Sequence, residues 1–196
     1  MTLIAITGGI GSGKSVVARM AEVMGYHVYD CDSRAKALMV TDEEVKRHLI
    51  DAFGDETFLD DGTINRQYLS TVAFSNEDAR ARLNGIVHPA TERDLQKWAD
   101  YRGLNGDTIL FLETALLRTA GLDKIVDEVW HVTAPDNVRV ERVMRRSGLS
   151  EEQARARMAA QVAEDSIADG EFVLVNDGKE ALLPQFIKLL SRLQES

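Results

Sequence analysis

Apolar and polar positions follow two rhythms along this chain. Short apolar runs, each closed by polar or turn residues, recur at Leu3-Ile4-Ala5-Ile6, His27-Val28-Tyr29, Thr108-Ile109-Leu110-Phe111-Leu112, Glu128-Val129-Trp130-His131-Val132 and Phe172-Val173-Leu174-Val175. Runs of this length without internal alternation have the form of strands buried on both faces, as parallel strands are. Between them the spacing is helical. A first helix is expected over about 13–24, with Gly25 placed to end it. From Ser33 to about Arg102 the pattern stays helical, beginning with a stripe of Val45, Leu49, Ile50 and Phe53. A polar, turn-rich segment over 54–65 contains Asp60-Asp61-Gly62. Helical patterning resumes at Arg66-Gln67-Tyr68-Leu69 and continues through Leu83, Ile86 and Val87. His88-Pro89 is then expected to interrupt the helix, because proline removes a donor and clashes with the preceding turn. A helix over Asp136–Ser147 follows. Ser150 and Gln153 stand at the spacing of a capping box that opens another helix. An amphipathic helix from Ala181 to Gln194 closes the chain.

Strands alternating with helices predict an α/β fold with right-handed crossovers. The expected form is a three-layer α/β/α arrangement on a parallel sheet of about five strands. Residues 1–32, 104–138 and 170–196 would build its core, residues 33–103 a helical insertion, and residues 139–169 a helical lid. Insertions and lids of this kind carry acceptor substrates and close over sites.

Composition narrows the class further. The chain has 196 residues, enough for one sizeable α/β domain, and a formal net charge of −9, which argues against nucleic acid as a partner. The apolar runs are too short to span a bilayer, and the N-terminus enters the first strand without a basic segment and apolar leader. A single cysteine, Cys31, excludes an internal disulfide framework and fits a reducing compartment. A cytoplasmic protein, free of membranes and monomeric or weakly self-associating, is expected.

One segment carries chemistry outright. Gly8-Gly9-Ile10-Gly11-Ser12-Gly13-Lys14-Ser15 fits G-x-x-x-x-G-K-[ST] and lies between the first strand and the first helix. Such a loop cradles phosphates with backbone N–H groups at a helix N-terminus. Residues Gly9, Ile10, Gly11, Ser12, Gly13, Lys14, Ser15 and Val16 are therefore expected to bind a nucleoside triphosphate. Lys14 would reach the β- and γ-phosphates, and the Ser15 hydroxyl would ligate Mg²⁺. A glycine-rich turn that binds nothing is the plainer alternative.

Other candidates follow from position. Strand 2 runs into Asp30-Cys31-Asp32 on the rim where a parallel sheet binds ligands. Asp32 is a candidate base for a substrate hydroxyl, or else Asp32-Ser33 caps the next helix. Glu113 ends an apolar strand as a Walker B carboxylate does, which makes it a second candidate for Mg²⁺; a solvated strand-end glutamate is the alternative. Six arginines, at 139, 142, 145, 146, 155 and 157, crowd into an otherwise acidic protein. Interleaved glutamates account for part of this group as a salt-bridged face, and the remainder suit a lid that brings positive charge to transferring phosphates. The chain lacks the Asn-Lys-x-Asp segment of a switch GTPase and the acidic pair of a mechanical ATPase, which leaves a small-molecule kinase.

These residues resemble one family, the dephospho-CoA kinases, almost end to end. The likeness rests on the Gly-Gly-Ile of the phosphate loop and on Asp30-Cys31-Asp32 in place of Asp-Ala-Asp. It continues through Phe53-Gly54, Asp61-Gly62, Arg66, Leu69 and His88-Pro89. Arg142, Arg146, Gly148-Leu149-Ser150, Arg157, Gln161 and Asn176-Asp177-Gly178 complete it. Two departures stand out. The family's Asp-x-Pro-Leu-Leu-Phe-Glu is here Glu113-Thr114-Ala115-Leu116-Leu117-Arg118-Thr119, and a lid glutamine is here Arg139. The resemblance implies ATP- and Mg²⁺-dependent phosphorylation of the ribose 3′-hydroxyl of dephospho-CoA, the last step of coenzyme A synthesis. Asp32, Lys14 and Arg146 would be catalytic. Arg142 and Asn176 would hold ATP, and Arg66, His88 and Arg157 would join Asp32 at the acceptor. A nucleotide or nucleoside kinase of the same fold, or a non-catalytic nucleotide-binding regulator, is the alternative reading.

Overall fold

The computed structural model describes residues 1–73 and 76–194, so Phe74 and Ser75, within the stretch read as helical, lie outside the described residues. The chain divides into two compact units, one formed by residues 1–30 with 105–196 and the other by residues 31–104.

The first unit is built on a parallel sheet of β1 (Thr2–Thr7), β2 (His27–Asp30), β3 (Ile109–Glu113), β4 (Glu128–Thr133) and β5 (Phe172–Val175), in the order β2-β3-β1-β4-β5. Every apolar run read as a strand is one. β1 is central and buried from Leu3 to Thr7, which is why its sequence is apolar without alternation. Its register places Ile6 beside Glu113 on β3 and beside Trp130 on β4. β1 and β3 are neighbours whose onward connections lead to opposite sides of the sheet, β1 to β2 and β3 to β4. At such a point a crevice opens at the carboxyl ends of the strands.

One sheet face is covered by α1 (Lys14–Val23) and α9 (Leu182–Gln194). α1 ends in a Schellman motif, with the Tyr26 N–H bonded to the Ala21 carbonyl at 3.0 Å and the Gly25 N–H to Glu22 at 3.0 Å. Val17, Ala18 and Ala21 of α1 meet Leu182, Phe186 and Leu190 of α9 over Ile4, Ile6, Phe111 and Trp130. The aromatic rings are edge-on, with centroids 5.3 Å apart for Phe111–Trp130 and 5.4 Å for Trp130–Phe186. That spacing favours packing beyond mere area burial. α6 (Asp136–Ser147), α7 (Glu151–Ala159) and α8 (Val162–Asp165) lie between β4 and β5. The capping box forms as expected: Ser150 Oγ accepts from the Gln153 N–H, and Gln153 Oε1 accepts from the Ser150 N–H.

The second unit contains α2 (Cys31–Thr41), α3 (Glu43–Phe53), α4 (Arg66–Ala73) and α5 (Glu77–Leu104). Leu38, Val45, Leu49 and Ala90 form its core, with Phe53, Leu83 and Ile86 against it. Two expectations need correction. The helix after strand 2 begins at Cys31, so Asp32 lies inside its first turn and is not its N-cap. Asp32 still sits where the helix dipole favours a carboxylate. Pro89 does not interrupt the helix either, since α5 runs unbroken through it for 28 residues. A proline inside a helix costs about 3 kcal/mol, but α5 buries Val87, Ala90, Thr91, Leu95 and Ala99 on both sides of it. Tertiary packing outweighs the local penalty.

Candidate active site

The glycine-rich segment leaves β1 at Gly8 and enters α1 at Lys14. Gly8 has a φ of +137°, and a Cβ there would stand 2.1 Å from the Val132 carbonyl oxygen, so only glycine lets the loop pass so close to β4. Gly13 is the N-cap of α1 with a φ of +101° and supplies no side-chain cap. The first N–H groups of the helix are thus left for an anion.

Side chains hold the loop from outside. Arg139 Nε donates to the Ile10 carbonyl at 3.0 Å. Arg142 Nη1 donates to the Gly11 and Ser12 carbonyls, each at 3.3 Å. Asn176 Nδ2 donates to Ser12 at 2.8 Å, and Arg142 Nη2 reaches the Asn176 carbonyl at 3.0 Å. A trans peptide points its C=O and N–H in opposite directions. Holding the carbonyls of Ile10 and Ser12 outward therefore turns the N–H groups of Gly11 and Gly13 the other way, towards the inside of the loop. There Lys14 Nζ lies over the loop, donating to the Gly8 carbonyl at 2.7 Å and Gly9 at 3.3 Å. The buried hydroxyls of Thr7 and Ser12, at the root of the loop, have no hydrogen-bond partner among the described residues.

Two carboxylates end the neighbouring strands. Glu113 is opposite Asp30 on β2 and Ile6 on β1, and the Thr114 N–H bonds to the Ile6 carbonyl at 3.2 Å. Ser15, in the first turn of α1, and Glu113 offer oxygen donors, which suit Mg²⁺. This ion takes one or two carboxylates from protein and the rest of its shell from phosphate and water. Among the arginines, Arg139, Arg142 and Arg155 are engaged, Arg155 with Glu151 at 2.8 Å. Arg145, Arg146 and Arg157 are exposed and form no ion pair among the described residues.

A polar cluster lies beside the sheet. His131 on β4 is buried, with Nδ1 3.3 Å from Glu171 Oε2, and Glu171 also pairs with Arg118. The histidine contact is not aligned as a hydrogen bond. Burial lowers the His131 pKa below its usual 6.5; Glu171 and Asp165 oppose this shift, and Arg118 reinforces it.

In the helical unit, Asp32 is exposed in the first turn of α2 and Arg66 is exposed at the start of α4. His88 is half-buried in α5, and burial holds its pKa below 6.5. A cavity of about 620 Å³ lies within this unit, lined by Arg66 and Lys36 with Met39, Val40, Leu69 and Leu83. Neither cation has an ion-pair partner among the described residues.

A family model described as dephospho-CoA kinase matches residues 2–181 of the chain. This protein belongs to the dephospho-CoA kinase family. A dephospho-CoA kinase of Bacteroides fragilis is 36% identical over 193 residues, which cover 98% of this chain and 93% of that protein. One of Geobacter sulfurreducens is 40% identical over 181 residues, 91% of each chain. A crystal structure from Thermus thermophilus is 32% identical with a TM-score of 0.75, covering 99% of this chain and 96% of the other. A dephospho-CoA kinase structure from Campylobacter jejuni has a TM-score of 0.72 at 21% identity, covering 98% of this chain and 97% of its own. It shares the three-layer α/β/α fold of P-loop kinases.

Within the dephospho-CoA kinase framework, the structure brings Gly9 to Val16, Arg142 and Asn176 together in one unit and sets Ser15 and Glu113 at the same end of its sheet. Four features escaped the sequence reading. Lys36 is a cavity-lining cation on a helix whose pattern gave no sign of one. Gln161, noted there only as part of a lid likeness, accepts the Ile10 N–H at 3.1 Å. Glu164 is buried and accepts the N–H groups of Arg118 and Thr119 at 3.2 and 2.8 Å. Asp165 pairs with Arg139 through both oxygens. The last two lie in a four-residue helix too short to show a pattern.

Proposed function

We propose that this chain transfers the γ-phosphoryl group of ATP to the ribose 3′-hydroxyl of dephospho-CoA, giving coenzyme A and ADP. The observation that carries the reading is the outward anchoring of the Ile10, Gly11 and Ser12 carbonyls, which leaves inward N–H donors and Lys14 to meet a polyphosphate. Phosphoryl transfer is mostly positioning and charge stabilisation. The loop from Gly9 to Val16, with Arg142 and Asn176, would hold ATP. Lys14 and Arg146 would stabilise charge on the transferring group. Asp32 would take the proton from the 3′-hydroxyl as its oxygen bonds to phosphorus and the bridging oxygen leaves with ADP. Mg²⁺, held through Ser15 and Glu113, would neutralise charge on the β- and γ-phosphates.

The acceptor side is proposed to rest on the helical unit, residues 33–103, with residues 139–169 as the lid beside bound nucleotide. The cavity there pairs an aliphatic wall with two cations, Arg66 and Lys36, the chemistry of a ligand that joins a diphosphate to an aliphatic arm. His88 and Arg157 are proposed to complete the acceptor site. A cytoplasmic location and a monomeric or weakly associating state go with this reading; among the described residues, no helix is long and apolar enough to cross a membrane. An ADP-release assay with dephospho-CoA, AMP, CMP and no acceptor tests it. ADP release should require dephospho-CoA, and the 3′-phosphorylated product should appear in equal amount. Release driven by AMP or CMP would identify a nucleotide kinase, and release in no arm a binding protein.

A further inference from the structure

The apex of the phosphate loop is gripped by residues that lie far from it in sequence. Arg139 is buried on α6 with a relative exposure of 6%. Its Nη2 donates to Asp165 Oδ1 and Oδ2 at 3.1 and 2.9 Å, while its Nε donates to the Ile10 carbonyl at 3.0 Å. Asp136 Oδ1 lies 3.5 Å from Nη1 on the exposed side. The pair rests directly on the loop. A Cβ added to Gly9 would meet Asp165 Oδ1 at 1.7 Å and Arg139 Nη2 at 2.1 Å, and one added to Gly11 would meet the Arg139 carbonyl at 2.7 Å. The Ile10 N–H is taken by Gln161, and the Ile10 side chain packs against the cluster of Val140, Val143, Ala154 and Met158 between α6 and α7.

Two consecutive peptides are thereby fixed. Gln161 takes the N–H of the Gly9–Ile10 peptide, so its carbonyl faces inward, where Lys14 Nζ meets it. Arg139 takes the carbonyl of the Ile10–Gly11 peptide, so the Gly11 N–H faces inward as a phosphate donor. A neutral side chain can make one such bond. A guanidinium can make it while remaining locked by a bidentate carboxylate.

We propose that Arg139 and Asp165 are positioning residues for the nucleotide: their ion pair locks the Ile10–Gly11 peptide so that the Gly11 N–H is aimed at bound phosphate before ATP arrives. Neither side chain touches the reacting atoms; both act through the loop. The departure at Arg139 from the family's glutamine is then balanced by Asp165, the partner that holds its charge in a buried place.

The inference rests on the kinase reading only in that ATP is the loop's ligand, so its test omits the acceptor. Affinity for β,γ-methylene-ATP with Mg²⁺ is measured by calorimetry on the full chain for the parent, Asp165→Asn, Arg139→Gln and Arg139→Lys, beside a thermal melt of each. Asp165→Asn alters a partly exposed carboxylate and is expected to fold; if Arg139→Gln fails to melt cooperatively, Asp165→Asn decides alone. Misplaced donors weaken binding steeply, and each folded variant is expected to lose affinity about tenfold. Arg139→Lys is not expected to restore it, because one ammonium cannot replace the forked geometry. In steady state the KM for ATP should rise more than kcat falls. A role confined to stability would lower the melting temperature and leave nucleotide affinity unmoved. Folded Asp165→Asn with affinity within twofold of the parent would overturn the proposal. If the loop's ligand is not ATP, the parent itself fails to bind, which separates that failure from this one.

Discussion

Gly8→Ala tests whether the cradle depends on the close passage of the loop over β4. Two costs add. A side chain at a φ of +137° is strained by about 1–3 kcal/mol. The new Cβ would stand 2.1 Å from the Val132 carbonyl oxygen, where ordinary contact begins at 3.4 Å. That oxygen belongs to a fully buried residue of a central strand, so it cannot swing aside. Relief must come from separating the end of β1 from β4, an overpacking cost of about 1–3 kcal/mol. The sum, about 2–6 kcal/mol, corresponds to a fall in melting temperature of roughly 5–20 °C for a chain of this size. Gly25→Ala is the control, since Gly25 also has a positive φ, +91°, but nothing lies within 4 Å of its Cβ position. It carries the strain without the collision. Thermal melts of parent and both variants, with and without Mg·ATP, read the difference. Gly8→Ala should melt well below Gly25→Ala and should lose the stabilisation that ATP gives the parent. A Gly8→Ala protein that melts with the control and keeps its ATP shift would refute the reasoning.

Three further outcomes are expected. Lys14→Ala should retain a cooperative melt, because the bonds of Lys14 Nζ to the Gly8 and Gly9 carbonyls lie in the loop and not in the sheet's core; single-turnover transfer should fall by at least about 10²-fold, as when one charge-stabilising donor is lost. Asp32→Asn should leave the melt within a few degrees, since Asp32 is exposed and not a cap, while transfer falls by roughly 10²–10⁴; transfer within threefold of the parent would move the base elsewhere. Burial lowers the His131 pKa below 6.5 in the folded chain. As pH falls through 6.5 the unfolded chain takes up the proton first, so stability is full above that pH and drains away below it. His131→Asn should flatten the acid limb of melting temperature below about pH 6.5, and an unchanged limb would assign the loss to other groups.

The legible parts of the chain were those whose cause is local. Five apolar runs gave five strands, and Ser150 with Gln153 gave a helix start to the residue, because a capping box needs only four positions. The phosphate loop was legible for the same reason. Pro89 misled because its local cost is real, and what overrides it is a buried stripe rich in alanine and threonine that hardly registers as apolar. The helix after strand 2 starts two residues earlier than its pattern suggested, at Cys31 and not at Ser33, so the capping alternative for Asp32 fails while its place at the strand end stands. The outer support of the loop was illegible in principle. Arg139 and Asp165 are 26 positions apart, and Asn176 meets Ser12 across 164; no periodicity links such residues.

The register of β1 bears on the order in which this protein assembles. Thr2 pairs with Ile109, across the whole helical unit, and Ile4 pairs with Glu128. The core of the helical unit, by contrast, is drawn from residues between 38 and 90. Pairings between distant segments form slowly, because the entropy of closing the chain is lost before the contacts return it. On this ground the helices are expected to form before β1 pairs with β3 and β4. Gly8 passes over Val132, and Ser12 hangs from Asn176, so the phosphate cradle takes shape only after those late strands arrive. Nucleotide would then meet a chain already past its folding barrier, and is expected to slow unfolding while leaving the rate of folding unchanged.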